Sequence, residues 1–130
     1  MTEKAMFEKG LKIRKSVLGE DYVNEALAKV DDFTRPLQEI VTGYCWGEIW
    51  GRDALPKKTR SMINLAMLTA LNRPNELKIH VAGALRNGCT EQEMQEVLLQ
   101  AMIYCGVPAG VESFRIANEV IKGGRQTGRK

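Results

Sequence analysis

The chain has a single histidine, His80, with Glu76 four residues before it. On a helix that spacing puts both side chains on one face. A carboxylate beside an imidazole orients the ring and favours its protonated form. The same spacing is also that of a solvated surface pair. Glu48 and Arg52 repeat it within Cys45-Trp46-Gly47-Glu48-Ile49-Trp50-Gly51-Arg52, the segment that holds both tryptophans. Indole rings beside charged groups either wall an apolar pocket with a few polar contacts or serve as core aromatics next to a solvated ion pair. Arg52 and Arg60 bracket Pro56, and guanidinium forks bind carboxylates bidentately, which points to an anionic substrate. Tyr104 and Cys105 place a phenol and a thiol before Gly106-Val107-Pro108. Spacing gives Cys105 no basic partner, so a nucleophilic thiol is not expected there. One histidine and no two-histidine helical motif leave no expected metal site.

Stepping from these residues to the chain that carries them, 130 residues with 44% hydrophobic content suit one domain with a core of its own, expected over residues 1–121. No apolar run reaches the length of a membrane span, and MTEKAMFEKG lacks the apolar stretch of a secretory leader. Three cysteines without a CxxC pair argue for a reducing cytoplasm. The net charge of +3 is unevenly spread. Residues 52–86 carry seven basic groups against Asp53 and Glu76, whereas residues 87–121 set Arg115 against five glutamates. The last nine residues, KGGRQTGRK, are basic and Gly-rich, and read as a disordered tail over 122–130. Without that tail the body is near neutral, so neither nucleic acid nor a membrane surface is an expected partner.

Sustained period-2 alternation is absent and helical periodicity runs throughout, which predicts an all-α fold of six to eight helices. Phe7 and Leu11 mark a first helix ending at Gly19. Asp21 is a candidate cap for a second helix, through Leu27 and Val30. Asp31 or Asp32 is a candidate cap for a third, running to about Trp46 with Phe33, Leu37, Ile40, Val41 and Tyr44 on one side. Pro56 suits the first turn of the next. Residues 62–71 are apolar almost all round, as a central buried helix would be. Arg60, Ser61 and Asn64 form a polar stripe on it, either a site wall or ordinary end-capping. Asn87-Gly88 is a helix stop, Thr90-Glu91-Gln92-Glu93 matches a capping box, and a last helix carries Phe114, Ala117 and Ile121.

Several co-linear strings then resemble one family: Leu55-Pro56-(x)3-Arg60-Ser61; Glu76-Leu77-(x)2-His80; Ala84-Leu85-Arg86-Asn87-Gly88; Thr90-(x)2-Glu93-(x)2-Glu96-Val97-Leu98-Leu99; and Tyr104-Cys105-Gly106-Val107-Pro108. With Trp46-Gly47-Glu48-Ile49-Trp50 and Arg14-(x)2-Val17-Leu18-Gly19 upstream, residues 8–121 resemble the carboxymuconolactone decarboxylase family. The resemblance implies the helical bundle of alkyl hydroperoxidase D and a homo-oligomer, commonly a hexamer. Redox relatives of that fold carry a CxxC ending four residues before a histidine, with a glutamate on the preceding helix. Here those positions hold Arg73, Glu76 and Ser61. Thiol peroxidase chemistry is therefore not expected.

The activity implied by the resemblance is cofactor-independent conversion of 4-carboxymuconolactone to 3-oxoadipate enol-lactone and CO2, in aromatic-acid catabolism. Such a substrate carries its own electron sink. The pair left by CO2 delocalises through the C=C bond to the lactone carbonyl, so no organic cofactor or metal is chemically required. The protein must hold a dianion, stabilise an oxyanion and deliver a proton to carbon. The roles implied are His80 as proton donor or hydrogen bonder, oriented by Glu48 or Glu76; Arg52 and Arg60 on the carboxylates; and Trp46 and Tyr104 excluding water. A relative acting on another small carboxylated substrate, or a non-enzymatic helical assembly module, are the competing expectations.

Overall fold

A computed structural model describes the backbone of residues 2–126 and the side chains of residues 2–124. Among them every regular element is helical and no strand occurs, as the missing period-2 pattern predicts. The described residues fall into two compact units, divided between Pro56 and Lys57.

In the first unit, Thr2 accepts the Ala5 amide and opens α1 (Glu3–Leu18), which Gly19 closes at φ 95°. Gly19 also precedes α2 (Glu20–Ala28) directly, so Asp21 sits inside the first turn and favours the helix dipole instead of capping. Asp31 accepts from the Thr34 amide and hydroxyl, ordering the turn before α3 (Arg35–Ile40). The single third helix expected to about Trp46 does not form. From Val41 to Ile49 the chain is a π-helix, and the Trp50 amide reaches the Cys45 carbonyl at 3.0 Å. α1 packs along this π-helix at glycine-sized contacts. A Cβ on Gly10 would collide with the Thr42 carbonyl, and one on Gly47 would meet Met6. The inward face of the segment is thus Thr42, Trp46 and Gly47, while Phe33, Leu37, Ile40 and Tyr44 lie exposed.

The second unit comprises α4 (Lys57–Ala70), α5 (Pro74–Arg86), α6 (Glu91–Cys105) and α7 (Val107–Gln126). Pro56 immediately precedes α4. Gly88, at φ 92°, follows α5 as the expected stop, and Thr90 and Glu93 form the expected capping box on α6. Leu65, Leu77, Val81, Met94 and Leu98 are fully buried at the centre, with Ile116 and Ala117 of α7 against them. α4 departs from its expected burial. It buries one stripe (Ser61, Leu65, Thr69) and exposes Ile63 and Met67 on the other side, with exposed Leu71 in the turn just after it. The reason is one-sided packing: α5, α6 and α7 all contact α4, and they cover only the inner stripe. α7 also runs past the expected start of the tail, to Gln126, because Lys122-Gly123-Gly124 contains no proline and glycine weakens a helix without ending it. The remainder of the expected tail, 127–130, lies outside the described residues.

Candidate functional site

In the second unit, Leu65 on α4 and Leu77 and Val81 on α5 hold the two helices together in the core. Asn64, next to Leu65, and His80, next to Val81, are thereby brought face to face. Asn64 Nδ2 lies 3.3 Å from His80 Nδ1. Three residues earlier on α4, Ser61 is fully buried and its hydroxyl accepts from Asn87 Nδ2 at 2.9 Å. Two members of the polar stripe therefore pair with α5 and the residue that ends it, and half-buried Arg60 stands beside them on α4. Partnering of this kind is what buried polar groups require.

Burial pushes the His80 pKa below its ordinary value of 6.5, and the charge of Glu76 offsets part of that shift. The helical spacing of Glu76 and His80 is realised, but desolvation outweighs the carboxylate. The net direction favours the neutral imidazole, contrary to the protonated form that spacing favours. Glu76 is itself exposed, which screens its charge.

The first unit holds Trp46, Glu48 and Arg52. Trp46 and Trp50 are buried and stacked, with centroids 4.7 Å apart and planes at 28°. Trp46 is thus a core aromatic of this unit. Glu48 and Arg52 form the expected pair at 3.6 Å on the surface. A further cation emerges that no role was assigned to: Arg14 is only 6% exposed and donates to Gln38 Oε1 at 2.9 Å and Thr42 Oγ1 at 3.2 Å. Burial lowers its pKa, and both hydrogen-bond partners are neutral. Its signal in the sequence is position, since it shares the inward face of α1 with Val17 and Leu18.

Each unit thus brings its own candidates together: His80 and Glu76 with Asn64 in one, Glu48 and Arg52 beside the indole pair in the other. Tyr104, at the end of α6, is 83% exposed, so within the single chain it shields nothing from water. Two grooves lie on the second unit. One passes Met62, Glu93 and Ile103, the other Met94, Phe114 and Ile121, and none of the candidate residues lines either. Cys45, Cys89 and Cys105 are free thiols, and burial raises the pKa of Cys45 and Cys89, which makes both poorer nucleophiles. Among the described residues no group of histidine, cysteine and carboxylates could hold a metal, and no helix is long and apolar enough to cross a membrane.

Residues 35–119 match the carboxymuconolactone decarboxylase family. Among curated proteins, the chain is 38% identical to a 4-carboxymuconolactone decarboxylase of Acinetobacter baylyi over 122 residues, covering 94% of this chain and 91% of that one. It is 40% identical to a nitrosuccinic acid decarboxylase of Metarhizium robertsii over 116 residues, covering 89% of this chain and 81% of that one. A 4-carboxymuconolactone decarboxylase of Pseudomonas putida matches over 48 residues at 35% identity, which is 37% of this chain and 100% of that one.

Proposed function

Because the chain belongs to the carboxymuconolactone decarboxylase family, we propose that it is a carboxy-lyase that converts 4-carboxymuconolactone to 3-oxoadipate enol-lactone and CO2 without an organic cofactor. The observation that carries this reading is the 38% identity to the Acinetobacter enzyme along 94% of the chain. In the proposed reaction the C–CO2 bond breaks and its electron pair moves through the C=C bond to the lactone carbonyl. His80 hydrogen-bonds the developing oxyanion or returns a proton to carbon. Glu48 or Glu76 orients His80, Arg52 and Arg60 bind the carboxylates, and Trp46 and Tyr104 help to exclude water in the assembled protein. The partly buried histidine beside Asn64 supports a role for its ring, since a donor in a dry site stabilises charge better than one in water.

The proposal includes a cytoplasmic homo-oligomer, a hexamer by family resemblance. The exposed Ile63 and Met67 on α4, Leu71 just after it, and the exposed Ile103, Val107 and Val111 support it, because a soluble single chain seldom leaves so much apolar surface wet.

A second reading is favoured by one observation, the 40% identity to the nitrosuccinic acid decarboxylase. A nitro group next to a carboxylate accepts the electron pair of the breaking bond as a lactone carbonyl does. Both substrates carry their own sink and need only anion binding and a proton. The deciding experiment offers each acid separately to purified protein and follows CO2 release. Turnover of the lactone with little turnover of nitrosuccinate supports the first reading, and the reverse transfers the proposal to nitro acids. Near-normal turnover by a folded His80→Gln variant would remove His80 from the mechanism.

A further inference from the structure

Asn64 Nδ2 approaches His80 Nδ1 at 3.3 Å, a direct polar contact on the ring. An amide nitrogen only donates, so the imidazole nitrogen it meets must accept. A neutral imidazole has one donor and one acceptor nitrogen. If Nδ1 accepts, the ring proton is on Nε2. An imidazolium would place two N–H donors head to head at this contact, so Asn64 also disfavours protonation. We infer that Asn64 is the positioning residue of His80, holding it as the neutral Nε2–H tautomer so that Nε2 is the hydrogen-bond donor the ring presents.

The backbone supports this assignment independently of any pKa. Asn64 stands between Ile63 and Leu65 on α4, and Leu65 is fully buried. His80 stands between Ile79 and Val81 on α5, and Val81 is fully buried. The two polar side chains are therefore anchored by neighbours that cannot move without opening the core. The desolvation that lowers the His80 pKa acts in the same direction. The functional consequence rests on the reading proposed above. A neutral Nε2–H hydrogen-bonds a developing enolate-type oxygen, and its weak acidity keeps it from protonating the substrate carboxylate that must leave as CO2. The proton added to carbon then comes from solvent that reaches the site after CO2 has left.

His80 is the only histidine in the chain, so an untagged, uniformly 15N-labelled sample gives one imidazole spectrum with no assignment ambiguity. Long-range 1H–15N correlation on the ligand-free protein at pH 8 distinguishes a protonated from an unprotonated nitrogen. The expected spectrum has Nε2 protonated and Nδ1 in the acceptor range. Asn64→Asp replaces the donor by an acceptor at the same place. It should move the proton to Nδ1 and raise the histidine's titration midpoint. Asn64→Leu should leave a mixture of tautomers. A wild-type spectrum with the proton on Nδ1 overturns the inference, as does an unchanged Nε2–H population in folded Asn64→Asp. If neither variant folds, the wild-type spectrum alone decides. The measurement needs no substrate, so its failure is separate from a failure to release CO2, which would overturn only the decarboxylase reading.

Discussion

Ser113 Oγ on α7 donates to Thr69 Oγ1 on α4 at 2.9 Å, and Thr69 Oγ1 donates on to the Leu65 carbonyl at 2.8 Å. Both hydroxyls are buried, at 3% and 1% exposure. The relay joins helices whose residues are far apart in sequence, and its members are unequal. Thr69→Val removes the acceptor and strands the Ser113 hydroxyl, at a cost of about 1–3 kcal/mol. Ser113→Ala leaves the Thr69–Leu65 bond intact and costs about 0.5–1.5 kcal/mol. The double variant should lose less than the sum. Urea denaturation followed by circular dichroism measures all three. Strict additivity would mean that the Ser113 hydroxyl turns to a carbonyl of its own helix and owes Thr69 nothing.

Gly10 makes the corresponding demand in the first unit. Its missing side chain is where the Thr42 carbonyl lies, and backbone cannot swing aside as a flexible side chain can. Gly10→Ala should therefore cost about 1–3 kcal/mol, toward the upper end, despite alanine's better helix propensity. Trp46 and Trp50 are the only tryptophans and both belong to this unit, so intrinsic fluorescence reports its unfolding selectively. A fluorescence transition unmoved by the substitution would show that α1 and the π-helix do not meet at Gly10.

These two sites also show where the sequence is readable. Gly19, Gly88 and the Thr90–Glu93 box are local signals, and the structure places helix ends at each of them. The Glu48–Arg52 pair is likewise local, and it forms. The π-helix is not local. Its widened turns answer to the glycine crossing with α1, and nothing within residues 31–46 announces them. The exposed side of α4 was hidden for a related reason: periodicity locates apolar residues but not which neighbours are present to cover them. Around His80 the spacing of Glu76 was visible, whereas desolvation and the Asn64 contact depend on how α4 and α5 pack. Asn64 was legible as a polar residue on an apolar helix, and its partner was not.

The uncovered stripe of α4 yields a prediction about assembly. Ile63, Met67 and Leu71 recur every four residues and are 41%, 48% and 66% exposed in the single chain. If a second copy covers them, Met67→Glu buries a charge at the contact and should dissociate the oligomer. Light scattering coupled to size exclusion reads the mass directly. An oligomer of unchanged mass at micromolar concentration would show that another surface makes the contact.

Protonation of His80 should carry a stability signature with a definite sign. Its pKa is lowered in the folded state, so between that lowered value and 6.5 the unfolded chain binds more protons than the folded one. Stability therefore falls as pH drops through 6.5 towards the folded-state pKa, and this contribution is flat above neutrality. His80→Gln should remove that slope from the pH dependence of the denaturation midpoint. Glu76→Gln removes the charge that opposes desolvation, so the histidine's titration midpoint should move further down, visible in the same single-histidine spectrum. A midpoint that moves upward would mean that Glu76 reaches His80 other than through its charge.

The two arginines and Glu48 separate substrate holding from chemistry. A guanidinium that grips a carboxylate in ground state and transition state alike lowers KM without changing kcat. Arg52→Ala and Arg60→Ala should each lose about 1.5–3 kcal/mol of charged hydrogen bonding, which is about a 10- to 150-fold rise in KM. Their kcat values should change far less. Glu48 is paired with Arg52 at 3.6 Å, so under the proposed clamp it would compete with substrate for the same guanidinium. Glu48→Gln weakens that competition, so KM should stay level or fall if the carboxylate only tethers Arg52. If Glu48 orients His80 instead, the same substitution should cut kcat and leave KM alone. Steady-state kinetics on the lactone distinguish the two outcomes, and an unchanged KM in both arginine variants would end the proposed clamp.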